Sequence, residues 1–316
     1  MTATTQGDTE QPTGRSAGSA GDRVFAGLAR GAAITILVVL AAVFVFLAVE
    51  GVPGMSKPAV NYRPLDSFWP YVGRLLFGTI FAALIALVIA VPFALGIALF
   101  ISHYAPRALA VPVAYVIDLL AAVPSVVFGL WGARVLGQAL IPAHGWLADH
   151  AGFIPFFAGP ASVTGKTVLT AGVVLAIMIL PIITAITREI FAQTPRLHEE
   201  AALALGATRW EMIRYAVFPY AKSGMVSAVM LGLGRALGET MAVAMVLSAS
   251  PVVTLNMISN TNPATIASNI ASSFAEATPA KLSVLIATGL VLFAFTFAVN
   301  FAARAVVTRT ERKFNR

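Results

Sequence analysis

Six long apolar runs constrain the fold of this chain more than any other feature. A transmembrane helix needs about 20 mainly apolar residues, because each residue advances the helix by about 1.5 Å. The approximate bounds of the six runs are 31–49, 71–101, 111–136, 166–187, 223–248 and 281–303. Only 11% of the 316 residues are charged, whereas about a quarter is usual in a soluble domain. The sequence therefore predicts an all-α polytopic membrane protein with six transmembrane helices.

The segments outside the runs complete the predicted organisation. Residues 1–22 are rich in Gly, Thr and Ser without apolar periodicity, which predicts a disordered tail before a transmembrane domain at 23–316. The first run could instead be the core of a cleaved signal peptide. It is longer than the 7–15 residues typical of such a core, and Val49-Glu50-Gly51 is a poor cleavage site, so a retained anchor is predicted. The segment 137–165 is predicted to be a loop, partly re-entrant or interfacial, and Pro124 a kink within the third run.

The distribution of positive charge predicts the orientation of the chain. The net charge of +7 would suit nucleic-acid binding if it were clustered on a soluble domain, but most of it lies beside apolar runs. The Lys and Arg residues of the two tails and of the second and fourth connections are Arg15, Arg23, Arg30, Arg107, Arg188, Arg196, Arg209, Arg214, Lys222, Arg304, Arg309, Arg312, Lys313 and Arg316. The positive-inside rule therefore predicts that the termini and the loop at 188–222 are cytoplasmic. Because membrane orientation accounts for the positive charge, no nucleic-acid partner is predicted.

The residue types exclude several kinds of chemistry. The chain has no cysteine, which rules out disulfides and thiolate sites. Its four histidines (His103, His144, His150 and His198) are scattered, so they are interpreted as exposed loop residues and no metal site is predicted. Residues 159–167 resemble a phosphate-binding P-loop, but five residues separate the glycines where four are required, and no buried strand precedes them. We therefore predict no cofactor, no catalytic residue and no nucleotide site in this chain.

The loop at 188–222 has the signals of a short helix–turn–helix. Thr194 and Pro195 can cap and start its first helix. Gly206 can end that helix in a left-handed conformation. Thr208 and Glu211 have the spacing of a capping box for a second helix, which Pro219 is predicted to end.

Arg235 and Glu239 are a pair of charges placed deep inside the fifth run. On insertion scales a central charge costs about 2.5–3.5 kcal/mol, so each must face a partner or a watery cavity. Their i, i+4 spacing lets them pair with each other, and one interpretation is a merely structural ion pair. The other is a site for an anion in transit, because a guanidinium matches phosphate oxygens and Glu239 could hold Arg235 between passages.

Two further features are weaker. Gly234 and Gly238 form a GxxxG pattern that allows close approach of another helix, such as that of a partner subunit. Asp118 lies in the third run, where a pair with a basic loop residue is favoured over a role in substrate binding.

Three stretches resemble a known family. The pattern Glu200-Ala201-Ala202, with Gly206 following, is similar to the cytoplasmic EAA loop of permease subunits in ATP-driven, binding-protein-dependent importers; the Ile and Leu of the family's ending are replaced by Ala216 and Phe218 before Pro219. Residues 232–243 and residues 122–131 resemble the corresponding stretches in the permeases of phosphate importers. The resemblance extends over about residues 71–309.

The resemblance implies a type I ABC importer permease fold in a bacterial plasma membrane. It implies that Glu200, Ala201, Ala202 and Gly206 couple to a separate ATPase dimer, which would bind the ATP. It also implies a companion permease subunit, an extracytoplasmic phosphate-binding protein and inorganic phosphate as substrate. The alternatives are the companion permease itself, an importer of another oxyanion such as molybdate or sulfate, and a secondary carrier driven by an ion gradient, which would show inverted repeats and several buried ionisable residues.

Overall fold

The computed structural model describes the backbone of residues 20–314 and the side chains of residues 21–305. The chain divides into two units, Met1–Phe46 and Leu47–Arg316. The long helices are α1 (Ala20–Gly51), α2 (Phe68–Leu99), α6 (Val168–Ala192), α9 (Phe218–Gly238) and α12 (Pro279–Phe314). The shorter ones are α3 (Arg107–Ala121), α4 (Ser125–Trp131), α5 (Gly137–Ala151), α7 (Arg196–Ala204), α8 (Arg209–Met212), α10 (Met241–Val246) and α11 (Ile266–Ser273). Two short parallel strands, β1 (Ala249–Ser250) and β2 (Asn262–Pro263), pair with each other.

The prediction of six transmembrane helices is confirmed. Six continuous helical stretches among the described residues are long and apolar enough to cross a bilayer: Gly21–Ser56, Phe68–Tyr104, Ser125–Ala151, Val168–Ala192, Arg209–Gly238 and Pro279–Ala305. The first, second and sixth enclose the predicted runs, and the fourth overlaps its run closely. The predicted disordered tail at 1–22 lies outside the described residues, except that Ala20, Gly21 and Asp22 already belong to α1.

The predicted third span at 111–136 is wrong. The chain breaks at Ala122–Pro124, since proline removes a backbone donor and disfavours helical geometry in the residue before it. α3 therefore ends at Ala121, and the crossing helix is Ser125–Ala151, formed by α4, a π-helical turn at Gly132–Leu136 and α5. Most of the predicted loop at 137–165 is thus helix, and the connection begins only at Gly152.

The predicted fifth span at 223–248 is also displaced. Pro219 does not end a helix, because a π-helical turn at Ile213–Val217 precedes it and the helix continues from α8 into α9. The widened turn accommodates a residue that can neither donate a backbone hydrogen bond nor fit against the preceding turn. The long helix stops at Gly238, and α10 follows after a two-residue break.

The core of the second unit is built where α2, α6 and α9 pack together. One face of α2 carries an alanine at every fourth position, and all five are fully buried: Ala82, Ala86, Ala90, Ala94 and Ala98. Since residues four apart lie on one face of a helix, these small side chains let α6 approach closely. Thr184 of α6 donates a hydrogen bond to the Ala94 carbonyl across this contact, at 3.5 Å.

The connections at one end of the unit are joined to each other. The segment after α5 hydrogen-bonds to the segment between β1 and β2: Ser162 N–H donates to the Ile258 carbonyl at 2.7 Å, and Met257 N–H to the Phe156 carbonyl at 2.7 Å. The Ser162 hydroxyl donates to Asn260. The P-loop-like stretch at 159–167 is one of these joined connections and leads directly into α6, whose N-cap is Thr167.

Gly165 offers a test of how these joined connections stabilise the protein. It has φ +71°, and a β-carbon there would collide with the carbonyl of Gly137. We expect Gly165→Ala to destabilise the protein by about 2–5 kcal/mol, the sum of left-handed strain and overpacking. Gly145→Ala is the matched control, because a β-carbon at that helical position meets nothing within 4 Å. Melting temperatures of the purified variants measure the difference, and equal values for the two would contradict it.

Candidate functional site

Arg235 lies at the middle level of the helical core. Its neighbour Gly232 packs against α6, where a β-carbon on Gly232 would lie 2.8 Å from the Ile183 side chain and 3.7 Å from Ile179. Both isoleucines are near the midpoint of α6. Arg235 is three residues further along α9, about 4.5 Å at the usual helical rise. The backbone of Arg235 therefore lies near the level of the midpoint of α6, and the depth of its guanidinium in a membrane stays a prediction.

Arg235 lines a cavity of about 740 Å³ between α6, α9 and α12. The polar side chains in its wall are those of Ser227, Arg235, Asn300 and Arg304, and the others are mainly apolar. Among the described residues, the lining includes two arginines and no Asp or Glu. The Nε atom of Arg235 is buried without a hydrogen-bond partner in the described part of the chain. The cavity therefore has a size typical of small-ligand sites and the charge to attract an anion.

The predicted ion pair between Arg235 and Glu239 is wrong. Within the described residues, Glu199 contacts His103 and Asp118 pairs with Arg188, and no carboxylate pairs with Arg235. α9 ends at Gly238 and Glu239 is extended, with φ −68° and ψ 125°, so the helical geometry that brings i and i+4 together is lost. Glu239 is 8% exposed, and its Oε1 accepts the Ala242 N–H at 3.2 Å. Glu239 therefore supports the start of α10, and Arg235 has no carboxylate partner among the described residues.

The two stretches that resembled phosphate-importer permeases meet in space. A β-carbon on Gly129 of α4 would lie 2.7 Å from the Cα of Ala242 in α10. One turn further, a β-carbon on Gly132 would lie 3.0 Å from the Val246 side chain. These glycines let the third crossing helix pack tightly on the segment that follows Glu239.

Within the part of the chain that the structure describes, no helix makes the predicted GxxxG contact. A β-carbon on Gly234 or Gly238 would meet nothing within 4 Å among the described residues. Gly234 forms part of the cavity wall. The small-residue face of α9 is therefore open, and it stays a prediction that a helix of another subunit covers it.

Asp118 and Arg188 form an ion pair, with 3.7 Å between Oδ2 and Nη2. Arg188 lies near the end of α6, in the loop segment predicted to follow the fourth span. This pair joins α3 to α6 and confirms that Asp118 has a basic partner, but Arg188 belongs to helix α6 and not to a loop.

The hairpin of α7 and α8 has most of the caps that its sequence predicts. Gly206 has φ +85°, and the bonds Gly206 N–H to Leu203 O (2.9 Å) and Ala207 N–H to Ala202 O (3.2 Å) form a Schellman motif. Thr208 and Glu211 form the predicted capping box. The predicted Thr194 cap is wrong, because the Thr194 hydroxyl is buried without a hydrogen-bond partner among the described residues and Pro195 occupies the N-cap position.

The hairpin rests on a small apolar cluster at the end of the bundle. The cluster consists of Ala98, Leu99, Phe191, Met212, Ile213, Val217 and Ala221, with Ala202 packed against it. The His103 ring also contacts Glu199, with 3.6 Å between Nε2 and Oε1. The cluster joins the ends of α2 and α6 to the start of α9, so a displacement of the hairpin would be passed to the core helices.

The outer side of the hairpin is exposed. Glu200, Ala201 and Gly206 are all exposed, while Ala202 faces the cluster. Leu197 is 73% exposed and Leu205 is 89% exposed. Exposed apolar side chains beside a charged helix are typical of protein-interaction surfaces.

The interpretation of all four histidines as exposed loop residues is partly wrong. His150 and His198 are exposed, but His144 lies in α5, fully buried, with both ring nitrogens unpartnered among the described residues. His103 is in the π-helical turn that ends α2 and faces the hairpin. Among the described residues, no group of three or more His, Asp or Glu side chains is arranged to hold a metal ion.

Sequence reasoning did not assign Asn300, Arg304 and Ser227 to the cavity. The available signal was Asn300, a polar residue near the end of the sixth apolar run, with Arg304 four residues later on the same face of a helix. Only the packing of α12 against α9 shows that these residues reach the same space as Arg235.

The chain is similar to several known proteins. The family model described as "Binding-protein-dependent transport system inner membrane component" matches residues 90–312. The chain is 45% identical over 298 residues to "Phosphate transport system permease protein PstC 2" of Mycobacterium tuberculosis, covering 90% of this chain and 91% of that protein. It is 37% identical over 293 residues to "Phosphate transport system permease protein PstC" of Haemophilus influenzae, covering 89% and 91%.

Two solved structures are similar in fold. A structure of the MetNI methionine ABC transporter in an inward-facing conformation aligns with a TM-score of 0.50 and 18% identity, over 76% of this chain and 94% of that one. A bacterial ABC transporter that imports alginate aligns with a TM-score of 0.50 and 15% identity, over 91% and 99%. The chain belongs to the binding-protein-dependent transport system inner membrane component family and has the fold of a type I ABC importer permease.

Proposed function

We propose that this chain is the permease subunit of an ATP-driven importer of inorganic phosphate and forms half of its translocation pathway. The observation that carries the proposal is the Arg235 cavity, where the guanidinium has no carboxylate partner among the described residues. Arginine offers a planar set of donors that matches phosphate oxygens. The relatives at 37–45% identity are named phosphate transport permeases, which supports phosphate over other oxyanions.

The hairpin supports the proposal that a separate ATPase drives the chain. Its exposed face, with Glu200, Ala201, Leu205 and Gly206, would seat in a groove of the ATPase. The apolar cluster beneath it would transmit ATP-driven movement to α2, α6 and α9. In this proposal the termini and the hairpin are cytoplasmic. The other partners are a companion permease, which covers the open face of Gly234 and Gly238, and an extracytoplasmic phosphate-binding protein.

Uptake by the complete importer in proteoliposomes tests the function. We expect labelled phosphate to accumulate with ATP inside the vesicles and no ion gradient, and unlabelled phosphate to compete better than sulfate or molybdate. Stronger competition by sulfate or molybdate would assign the cavity to another oxyanion. Uptake that depended on an ion gradient and did not depend on ATP would instead indicate a secondary carrier.

We propose that the negative charge of Glu239 lowers the affinity of Arg235 for the anion. A unit charge several ångströms away contributes about 1–3 kcal/mol at an effective dielectric constant near 20. We expect Glu239→Gln to lower both kcat and KM for uptake several-fold, because the anion is held more tightly. The amide oxygen can still accept the Ala242 N–H, so assembly should be preserved.

Glu239→Ala is the control for this substitution, since it removes both the charge and the bond to Ala242. We expect it to lower the melting temperature of the complex, which Glu239→Gln should not. Unchanged kcat and KM in Glu239→Gln would show that Glu239 serves only to support α10.

A further inference from the structure

A second cationic cluster lies at the end of α2 that is far from the hairpin. Arg74 is only 9% exposed, and its Nε and Nη1 atoms are buried without hydrogen-bond partners in the described part of the chain. Its guanidinium carbon lies 5.5 Å from the centroid of the Tyr71 ring. A contact with an aromatic face attracts the cation but does not satisfy its N–H donors.

Lys281 approaches the same aromatic ring. Its Nζ lies 4.6 Å from the Tyr71 centroid and donates to the Asn61 carbonyl at 2.7 Å and to the Tyr71 hydroxyl at 3.3 Å. Asn269 also donates to that hydroxyl, at 2.9 Å. We call Arg74, Lys281, Tyr71 and Asn269 the Tyr71 cluster. It brings together two cations and an amide donor, and neither cation has an ion pair with a carboxylate among the described residues.

The burial of Arg74 needs a compensating charge. Buried charges in proteins are normally paired, because removing an ion from water is energetically costly. A cation–π contact offsets only part of that cost. An anion at the Arg74 guanidinium would supply the compensating charge, because no carboxylate among the described residues pairs with it.

The position of the cluster fits the outer end of a transport pathway. Ala98 and Leu99, at the other end of α2, contact the hairpin. Arg74 lies 24 residues before Ala98, about 36 Å along the helix. Arg235 lies between these levels. One turn after Arg74, Gly78 packs against the Pro263 and Ala264 carbonyls, so the segment around β2 covers this face of α2.

We infer that the Tyr71 cluster is a second anion site, which an incoming oxyanion occupies before it reaches Arg235. The identification of that oxyanion as phosphate rests on the proposed function. A small ion fits better than an acidic side chain of a delivery protein, because Arg74 is almost fully buried. A free phosphate ion and the phosphate of a lipid headgroup share this chemistry, so the experiment must distinguish them.

Direct binding of labelled inorganic phosphate tests the site in the complete importer without its binding protein, in nanodiscs of zwitterionic lipid. We expect Arg235→Gln to retain one class of phosphate binding that Arg74→Gln lacks, and the double variant to lose both. In proteoliposomes, Arg74→Gln should reduce kcat/KM of uptake about tenfold or more. Arg74→Lys should fall between, and Arg63→Gln, an exposed arginine on the same side, should behave as wild type.

Three outcomes would overturn the site. The first is that Arg74→Gln binds labelled phosphate as wild type does. If its uptake nevertheless falls, Arg74 has a role in structure or in docking of the delivery protein and does not bind the anion. Anionic lipid in the nanodiscs could abolish the binding that depends on Arg74, which would assign a headgroup as occupant. If the Arg74 variants do not assemble, Lys281→Gln is used in their place. Phosphate binding by Lys281→Gln at the wild-type level would equally show that the Tyr71 cluster is not an anion site.

Failure of the proposed function gives a different result. The wild-type complex would then neither bind nor carry phosphate. The same comparison of Arg74→Gln with wild type, made with labelled sulfate or molybdate, would still decide whether the Tyr71 cluster binds an oxyanion.

Discussion

Arg235→Gln should reduce phosphate uptake at least 100-fold while the importer remains assembled. The wild-type guanidinium faces a cavity and has no carboxylate partner among the described residues, so its charge is available to an anion in transit. Glutamine keeps polar hydrogen bonding but loses the charge and the two-pronged geometry that a phosphate matches. A 100-fold loss corresponds to about 2.7 kcal/mol, which is within the range for charge-assisted hydrogen bonds.

Arg235→Lys separates charge from geometry. Lysine keeps the positive charge but presents it as a point, so we expect partial uptake, between that of wild type and Arg235→Gln. Size-exclusion profiles and the basal ATPase rate of the complex show whether assembly is intact. Entry of labelled phosphate at the wild-type rate in Arg235→Gln would mean that Arg235 has a structural role only.

The parts of the fold that sequence predicts well are those fixed by local chemistry. Gly206 adopts its left-handed conformation, and Thr208 and Glu211 cap the next helix, because each motif involves neighbouring residues only. The apolar runs that lie within or overlap α1, α2, α6 and α12 predict membrane-spanning helices equally clearly, because a long apolar run with few charges is typical of such helices.

The errors arise where the outcome depends on distant contacts. Pro124 could kink a helix or end one, and its own neighbours do not decide between these outcomes. α5 contains Pro142, His144 and Asp149, which suggest a loop until the helix is seen to continue. Glu239 could pair with Arg235 only if α9 continued, and its end at Gly238 cannot be inferred from spacing alone.

The cavity was only half predictable for the same reason. Arg235 is conspicuous because a buried charge is costly in any membrane helix. Asn300 and Arg304 acquire a role only through the approach of α12 to α9. A second cation such as Arg74 resembles an ordinary loop-side charge in sequence, and its significance comes from burial and missing partners.

Gly206→Pro should abolish ATP-driven uptake with the protein still present in the membrane. Proline is restricted to φ near −65°, whereas Gly206 has φ +85°. Proline also lacks the N–H that Gly206 donates to Leu203 at 2.9 Å. The variant must therefore change the turn between α7 and α8, which displaces the exposed face that contains Glu200 and Leu205 and disrupts docking of the ATPase.

A graded series at this position tests the cause. A β-carbon on Gly206 meets nothing within 4 Å in the described chain, so steric crowding cannot explain any loss. Asparagine tolerates the left-handed region and should retain most uptake, while alanine should lose about 1–2 kcal/mol of local stability and some uptake. ATPase that copurifies with the permease and uptake should decline together in the order Gly, Asn, Ala, Pro. Normal uptake by Gly206→Pro would show that the hairpin does not couple the chain to its ATPase.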